Sequence, residues 1–430
     1  MIPAVPGEQR TLSSAALRTR VASGLTTYGW MLFVIGLSLF ASGRAWGRIS
    51  LGSLLVHPYL VLVGLTFPLL AMGRLHLIPT RMVMGLSAFA GLYFASTFSG
   101  GVQISEGIKI AATVVTILSM AMLVRSWEDF SAGTLGMCLA VGTLALSGVT
   151  VDAASYSGRI EAVDNANRNA YSLYALPCVL LGSYVFLNSR RDSFFIKGLL
   201  AVTILATTLC ICLNVNRSGW IGLAAILVML TYERSLKSAI AFGIAGGLIG
   251  WVVVTFFGVS HIEERVASTR TGLESDIGRW NLIVNSFFVG VENPLLGVSP
   301  EGLTRELARR LGYSGGQINT HNVFAHVIGG SGVVCFLLLF YCGSTMWRWR
   351  PSDGAPAAAT VGFRKARRLL RYVLILWMVR GFFTHEIIYS PSFNMAIGLC
   401  LGLCALRLPP RFVPRRAPTS YRSAADHPSI

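Results

Sequence analysis

Charge is what this chain has least of: 13% of its 430 residues are Asp, Glu, Lys or Arg, about half the share of a soluble domain. Acidic residues are the scarcer sign, 19 against 36 basic ones. With a mean hydropathy of +0.61 there is too little polar surface for a soluble fold of this length. The apolar residues run in blocks of roughly 17 to 22, not in short alternating segments, which excludes a transmembrane barrel and leaves helices as the spanning elements. Cysteine pairing is missing too. Cys138, Cys178, Cys210, Cys212, Cys335, Cys342, Cys400 and Cys404 all lie inside apolar blocks, with no Cys-x-x-Cys spacing. They read as small packing residues and imply neither a disulfide framework nor a metal cage. No internal repeat is visible.

What is there is a series of twelve apolar blocks, at residues 26–41, 51–72, 82–98, 107–124, 131–150, 171–187, 196–214, 217–232, 237–257, 321–343, 370–388 and 391–407. The expected fold is therefore an all-α polytopic membrane protein of about twelve transmembrane helices. Residues 1–257 carry helices one to nine, 258–320 form an external loop domain, 321–408 carry helices ten to twelve, and 409–430 make a basic tail. Arg10, Arg18 and Arg20 precede the first block and read as the start of an uncleaved anchor.

Orientation follows from the basic residues. With the N-terminus inside, 23 of the 36 Lys and Arg fall on cytoplasmic segments, including Arg364, Lys365, Arg367, Arg368 and Arg371 and the tail. Six more sit in the long loop, where the rule has little weight. Both termini are thus expected in the cytoplasm. The net charge of +17 becomes a matter of topology and attraction to anionic membrane lipids, so nucleic acid is not an expected partner.

The loop 258–320 faces outward in this topology and carries two helix patterns. One starts near Ser275 as N-cap, places Ile277, Trp280, Ile283, Val284, Phe287 and Phe288 at spacings of three and four, and stops at Asn293-Pro294. It is expected to lie on the membrane surface with Trp280 at the interface. The other starts at Ser299-Pro300, runs through Leu303, Leu307 and Leu311, and ends at Gly312, with Glu301/Arg305 and Glu306/Arg310 as four-apart pairs.

Three polar groups stand out on the outer side. Arg217 follows the short link Asn214-Val215-Asn216 and would sit at the outer mouth of the eighth span, where an arginine binds either substrate or lipid headgroups. Arg279 is flanked by Gly278 and Trp280, which permits close substrate approach and a stacked guanidinium, while a solvated charge on an interfacial helix is the plainer reading. His321 titrates near working pH and suits proton transfer; the alternative is a helix cap. Asn322 beside it is a candidate orienting or substrate contact, and His326, five residues on, faces elsewhere and reads as structural. Arg380 lies inside the eleventh span, where a charge costs roughly 2.5 to 3.5 kcal/mol on insertion scales and needs a partner, with Glu386 or a bound phosphate as candidates and His385 nearby. His57 and Lys109 also fall in the outer parts of their spans, so ionisable groups crowd one leaflet. That favours an outward-facing reaction chamber over a transport path. Glu274-Ser275-Asp276 has the spacing for a hard cation but suits a helix N-terminus as well, and no metal is expected; arginine forks alone match a pyrophosphate.

Asn-Arg-Ser-Gly-Trp-Ile-Gly-Leu at 216–223, Gly-Arg-Trp-Asn-Leu-Ile at 278–283, Asn-Pro-Leu-Leu-Gly-Val at 293–298 and Thr-His-Asn-Val-Phe at 320–324, followed by Gly330-Ser331-Gly332, resemble the core of the bacterial O-antigen ligase and O-antigen polymerase superfamily. The resemblance covers residues 200–345. It implies a GT-C-like, metal-independent, inverting glycosyltransferase without cofactor, which takes a glycan from undecaprenyl diphosphate at the periplasmic face of the inner membrane. Arg217 and Arg279 would hold the diphosphate, His321 would activate the acceptor hydroxyl, and Trp280, Asn322, Arg380 and His385 would contact substrate. The acceptor would be lipid A core for a ligase or another lipid-linked glycan for a polymerase. A modest outer loop without a second arginine-rich loop favours the ligase, and a transporter of small anions or lipid-linked sugars is the competing class. The family often has an acidic residue before the glycine that follows the histidine; here the stretch reads Ile328-Gly329-Gly330-Ser331.

Overall fold

The computed structural model describes residues 31, 35, 49–51, 54–56, 58–98, 104–152, 168–188, 194–213, 217–233, 273–312, 318–349 and 357–406. The first and ninth expected spans, the Arg10–Arg20 segment, His57 and the basic tail fall outside these residues or nearly so. Met31 and Ile35, helical positions of the first span, are fully buried.

The order is a two-stranded hairpin, β1 (Ile49–Leu51) and β2 (Leu54–Val56), then helices α1 (Pro58–Arg74), α2 (Thr80–Ser96), α3 (Ile104–Leu123), α4 (Trp127–Asp152), α5 (Arg168–Asn188), α6 (Phe194–Leu213), α7 (Arg217–Glu233), α8 (Leu273–Glu292), α9 (Pro300–Arg310), α10 (Val323–Arg348), α11 (Ala357–Gly381) and α12 (Pro391–Ala405). The protein is a helical membrane protein. Four of the described helices, α3, α5, α6 and α10, are both long and apolar enough to cross a bilayer by themselves, and α1, α7 and α12 are shorter apolar helices. The second expected span is shortened, because Ile49–Leu51 and Leu54–Val56 pair as antiparallel strands ahead of α1.

The centre of the bundle is α12. It is apolar on every side, the pattern of a helix with no solvent or lipid face, and residues Pro391 to Cys404 are all buried. Gly398 and Gly402 bring it against α3 so closely that an added Cβ would stand 2.5 Å from the Ile117 and Ala121 carbonyl oxygens, the small-residue contact on which membrane helices rely.

The tenth expected span departs most from a simple helix. At Gly332 the backbone takes φ 85°, ψ 169° and breaks α10 in two. The rings of Phe324 and Phe340 lie 5.8 Å apart, whereas a straight helix would separate those positions by about 24 Å. Contacts with α2 trace the same path. Cys342 meets Gly85, Cys335 meets Phe89 and Ser331 meets Ser96, and then the chain N-terminal to the break turns back so that His326 meets Tyr93. Val323–Ser331 is therefore a half-helix doubled back toward the crossing part of α10.

A break of this kind frees backbone groups that a membrane interior cannot leave unpaired. The turn Asn293–Val298 supplies them: Val334 N–H donates to the Pro294 carbonyl at 3.3 Å, and Val298 N–H donates to the Gly329 carbonyl at 3.3 Å. Gly290, Gly297, Gly329 and Gly330 make room, each with less than 3.0 Å between a hypothetical Cβ and the opposing segment. Leu282, Val289, Leu303 and Leu307 form a small second core over this junction. Helices α8 and α9 start and stop near the expected residues, and Ser299 caps α9 by accepting from Gly302 N–H at 2.9 Å. Yet α8 is seated on the half-helix, not simply laid on the membrane surface; Trp280, Phe288, Val291 and Leu295 remain exposed.

Candidate active site

His321 and Asn322 open the half-helix. Asn322 is its N-cap: Oδ1 accepts from Ala325 N–H at 2.9 Å, while Nδ2 donates to the Phe382 carbonyl at 3.4 Å. With both ends of its amide engaged and 3% exposure, Asn322 ties the half-helix to the end of α11, and contact with substrate would require those bonds to open. His321 has φ 48°, a left-handed conformation that costs an L-residue about 1–2 kcal/mol. Strain of this kind collects at functional sites, and here it turns the imidazole out of the capping role that Asn322 fills.

Arg279, exposed on α8, lies within electrostatic reach of His321. Partial burial first and the Arg279 charge second push the imidazole below its usual pKa, near 6.5. The shift favours the neutral imidazole, the form that accepts a proton. Residues far apart in sequence thus come within electrostatic reach of one another. Arg217 is the first residue of α7, but its side chain lies outside the described residues, as do those of Glu274 and Asp276. Trp280 stands 64% exposed beside Arg279.

The floor near His321 is recessed. Asn394 of α12 pairs with Thr113 of α3 at 3.1 Å, so α12 begins about 9 Å, or six residues of rise, below the start of α3. The turn from Phe382 to Ser390 crosses this floor and carries His385. Arg380, at the end of α11, is fully buried, donates to Ser172 Oγ of α5 at 2.9 Å and is attracted by Glu386. Through this bond Arg380 ties α11 to α5.

Several polar residues here carried no local signal in the sequence. Tyr93, Tyr389 and Glu106 come from three elements and join His326 and His385 in one group. Beneath them an apolar cavity of about 400 Å³ runs between α2, α3, α10, α11 and α12, from Phe324 and Ile388 down to Trp347 and Arg348. Phe340 and Met378 on its wall are 47% and 37% exposed, so the cavity borders the surface of the helix bundle.

Residues 199–340, about a third of the chain, match the family model for the O-antigen ligase. In this stretch the chain is similar to the O-antigen ligase family. None of the curated proteins matches it. The matched stretch starts in α6 and includes α7, α8, α9, the half-helix and the break at Gly332, so it contains both Arg279 and His321.

Proposed function

We propose that this chain is the ligase type: it moves a glycan from undecaprenyl diphosphate to an acceptor hydroxyl of lipid A core, at the periplasmic face of the inner membrane. The observation that carries the reading is His321, held in a left-handed backbone just ahead of the half-helix and within electrostatic reach of Arg279. The diphosphate leaves as a stable anion, so the protein has to place it, balance its charge and remove one proton from the nucleophile. Arg279 serves the second task, joined by Arg217 at the start of α7, and His321 the third. Attack from the face opposite the diphosphate inverts the anomeric centre. The arginine forks suit a metal-independent reaction. The cavity between α10 and α11 suits the head-proximal part of the polyprenyl tail, and the exposed face of Trp280, Phe288 and Val291 lies over the same side of α8.

His321→Ala is expected to abolish transfer in a protein that still inserts and folds; full retained transfer would remove His321 from the role of base. Arg217→Lys should also impair transfer, because an ammonium does not reproduce the planar fork. Deletion of the gene separates ligase from polymerase. Loss of capped core with retained lipid-linked polymer supports the ligase, and accumulation of single repeats marks a polymerase.

A further inference from the structure

Behind His321 lies a set of polar side chains that the transfer chemistry leaves unused. His326 is 5% exposed, and its Nε2 stands 3.3 Å from the hydroxyl of the fully buried Tyr93. Tyr93 is hydrogen-bonded to the hydroxyl of Tyr389, and Glu106 in the first turn of α3 lies within interaction reach of Tyr389, with Lys109 Nζ 5.6 Å from the Tyr389 ring centroid. Glu106 pairs at 2.5 Å with Lys109, whose side chain is 51% exposed. At the other end His385 stacks on His326 with ring centroids 4.6 Å apart. Its Nδ1 is buried with no hydrogen-bond partner, and the ring lies within electrostatic reach of both His326 and His321.

The direction of the hydrogens follows from the far end. An ionised carboxylate only accepts, so a Tyr389 hydroxyl turned toward Glu106 donates to it. Its oxygen then accepts from the Tyr93 hydroxyl, and Tyr93 accepts from Nε2–H of His326. That tautomer leaves Nδ1 of His326 able to take a proton. Every hydrogen in the chain thus points from the imidazole toward the carboxylate, which is the alignment that successive proton hops require.

We propose that His385, His326, Tyr93, Tyr389 and Glu106 form the route by which the acceptor's proton leaves the active site. This rests on His321 being the base. As the acceptor oxygen bonds to the anomeric carbon, the bond to the diphosphate breaks and the diphosphate keeps the electron pair. His321 holds the proton. His385 takes it on one ring nitrogen and releases one from the other, His326 does the same, and the two hydroxyls pass it to Glu106 and then to water. One proton enters, one leaves, and nothing is oxidised or reduced. A ring rotation or one bridging water connects the stacked imidazoles. The route operates when donor and acceptor cover His321, which is only half-buried in the free protein.

The test uses the full chain in proteoliposomes with an undecaprenyl-diphosphate-linked oligosaccharide and core-only lipopolysaccharide. Single-turnover rates should fall about ten-fold or more for Tyr389→Phe and Glu106→Gln, with unchanged acceptor KM, and added imidazole buffer should partly restore the rate of Glu106→Gln. Glu106 is at the surface end, so its variant stays informative if the tyrosine variant misfolds. Wild-type rates in both, a loss confined to KM, or a slow rate that buffer does not move would overturn the route. His321→Ala separates this from the parent reading. If that variant is inactive while both others run at the wild-type rate, the base stands and only the route is wrong; if it retains transfer, the parent reading falls.

Discussion

The α3–α12 contact and the contact of α8 and α9 with α10 both use glycine to bring backbones together, and they differ in what the glycine does next. Gly398 and Gly402 lie within an unbroken helix, where each backbone N–H and carbonyl has a partner along the same chain and the missing side chain only allows close approach. Gly297 and Gly332 take φ of +60° and +85°, so they also bend the chain where an L-residue would be strained. The backbone groups freed at Gly332 are then paired across to the Asn293–Val298 turn. The first contact holds the bundle together, while the second places His321. A helix interrupted in a membrane must borrow partners from another segment, and whatever lends them becomes part of the site.

Paired substitutions test that distinction most strongly. Gly297→Ala would put a Cβ 2.3 Å from the Gly330 carbonyl oxygen in a left-handed conformation, at a cost of about 3 kcal/mol or more. It should reduce transfer per folded molecule at least ten-fold, read in proteoliposomes after normalising for monodisperse protein. Normal specific activity would show that the turn does not position the half-helix. The next effect is on pH dependence. Because the Arg279 charge holds the His321 pKa down, Arg279→Gln should raise it, and the acid limb of kcat/KM should move to higher pH; an unmoved limb would separate the two residues functionally. Gly398→Ala should lower the thermal midpoint, with an overpacking cost of about 1–3 kcal/mol, and leave the activity of the folded fraction unchanged.

The smallest effect belongs to the surface of α9. Glu306 bonds Arg309 and Arg310, and those bonds hold its carboxyl down at about 2, against an unfolded value near 4.3. The contribution is therefore complete above the unfolded value and is lost as pH falls toward about 2. Glu306→Gln should weaken α9 by less than about 1 kcal/mol, visible as faster amide exchange in α9 at pH 6 and little difference near pH 2.

Much of the helix pattern was legible because it depends on local rules. The apolar blocks of α3, α5, α6 and α12 and the cap at Ser299 lie within a residue or a few of their expected places. The break in α10 was not read, although three glycines in four positions inside an apolar run were its signal. The β1–β2 hairpin was likewise absorbed into an expected span. In the site, His321 and Arg279 stood out by residue type and motif. Tyr93, Tyr389 and Glu106 did not: a buried tyrosine or a helix-start glutamate is ordinary alone, and its meaning comes from neighbours up to 296 residues away. Arg380 was visible as an expensive charge, but only packing against α5 gave it Ser172 as partner.

By itself the sequence determined that this chain is a helical membrane protein and that residues 199–340 are similar to the O-antigen ligase family, since composition, period and motif are properties of neighbouring residues. Only the tertiary structure decided that the histidine stands on a doubled-back half-helix held by the external turn, with a hydrogen-bonded chain behind it. Those features arise from backbone groups and side chains that find their partners across the fold, and no local pattern encodes which partner that will be.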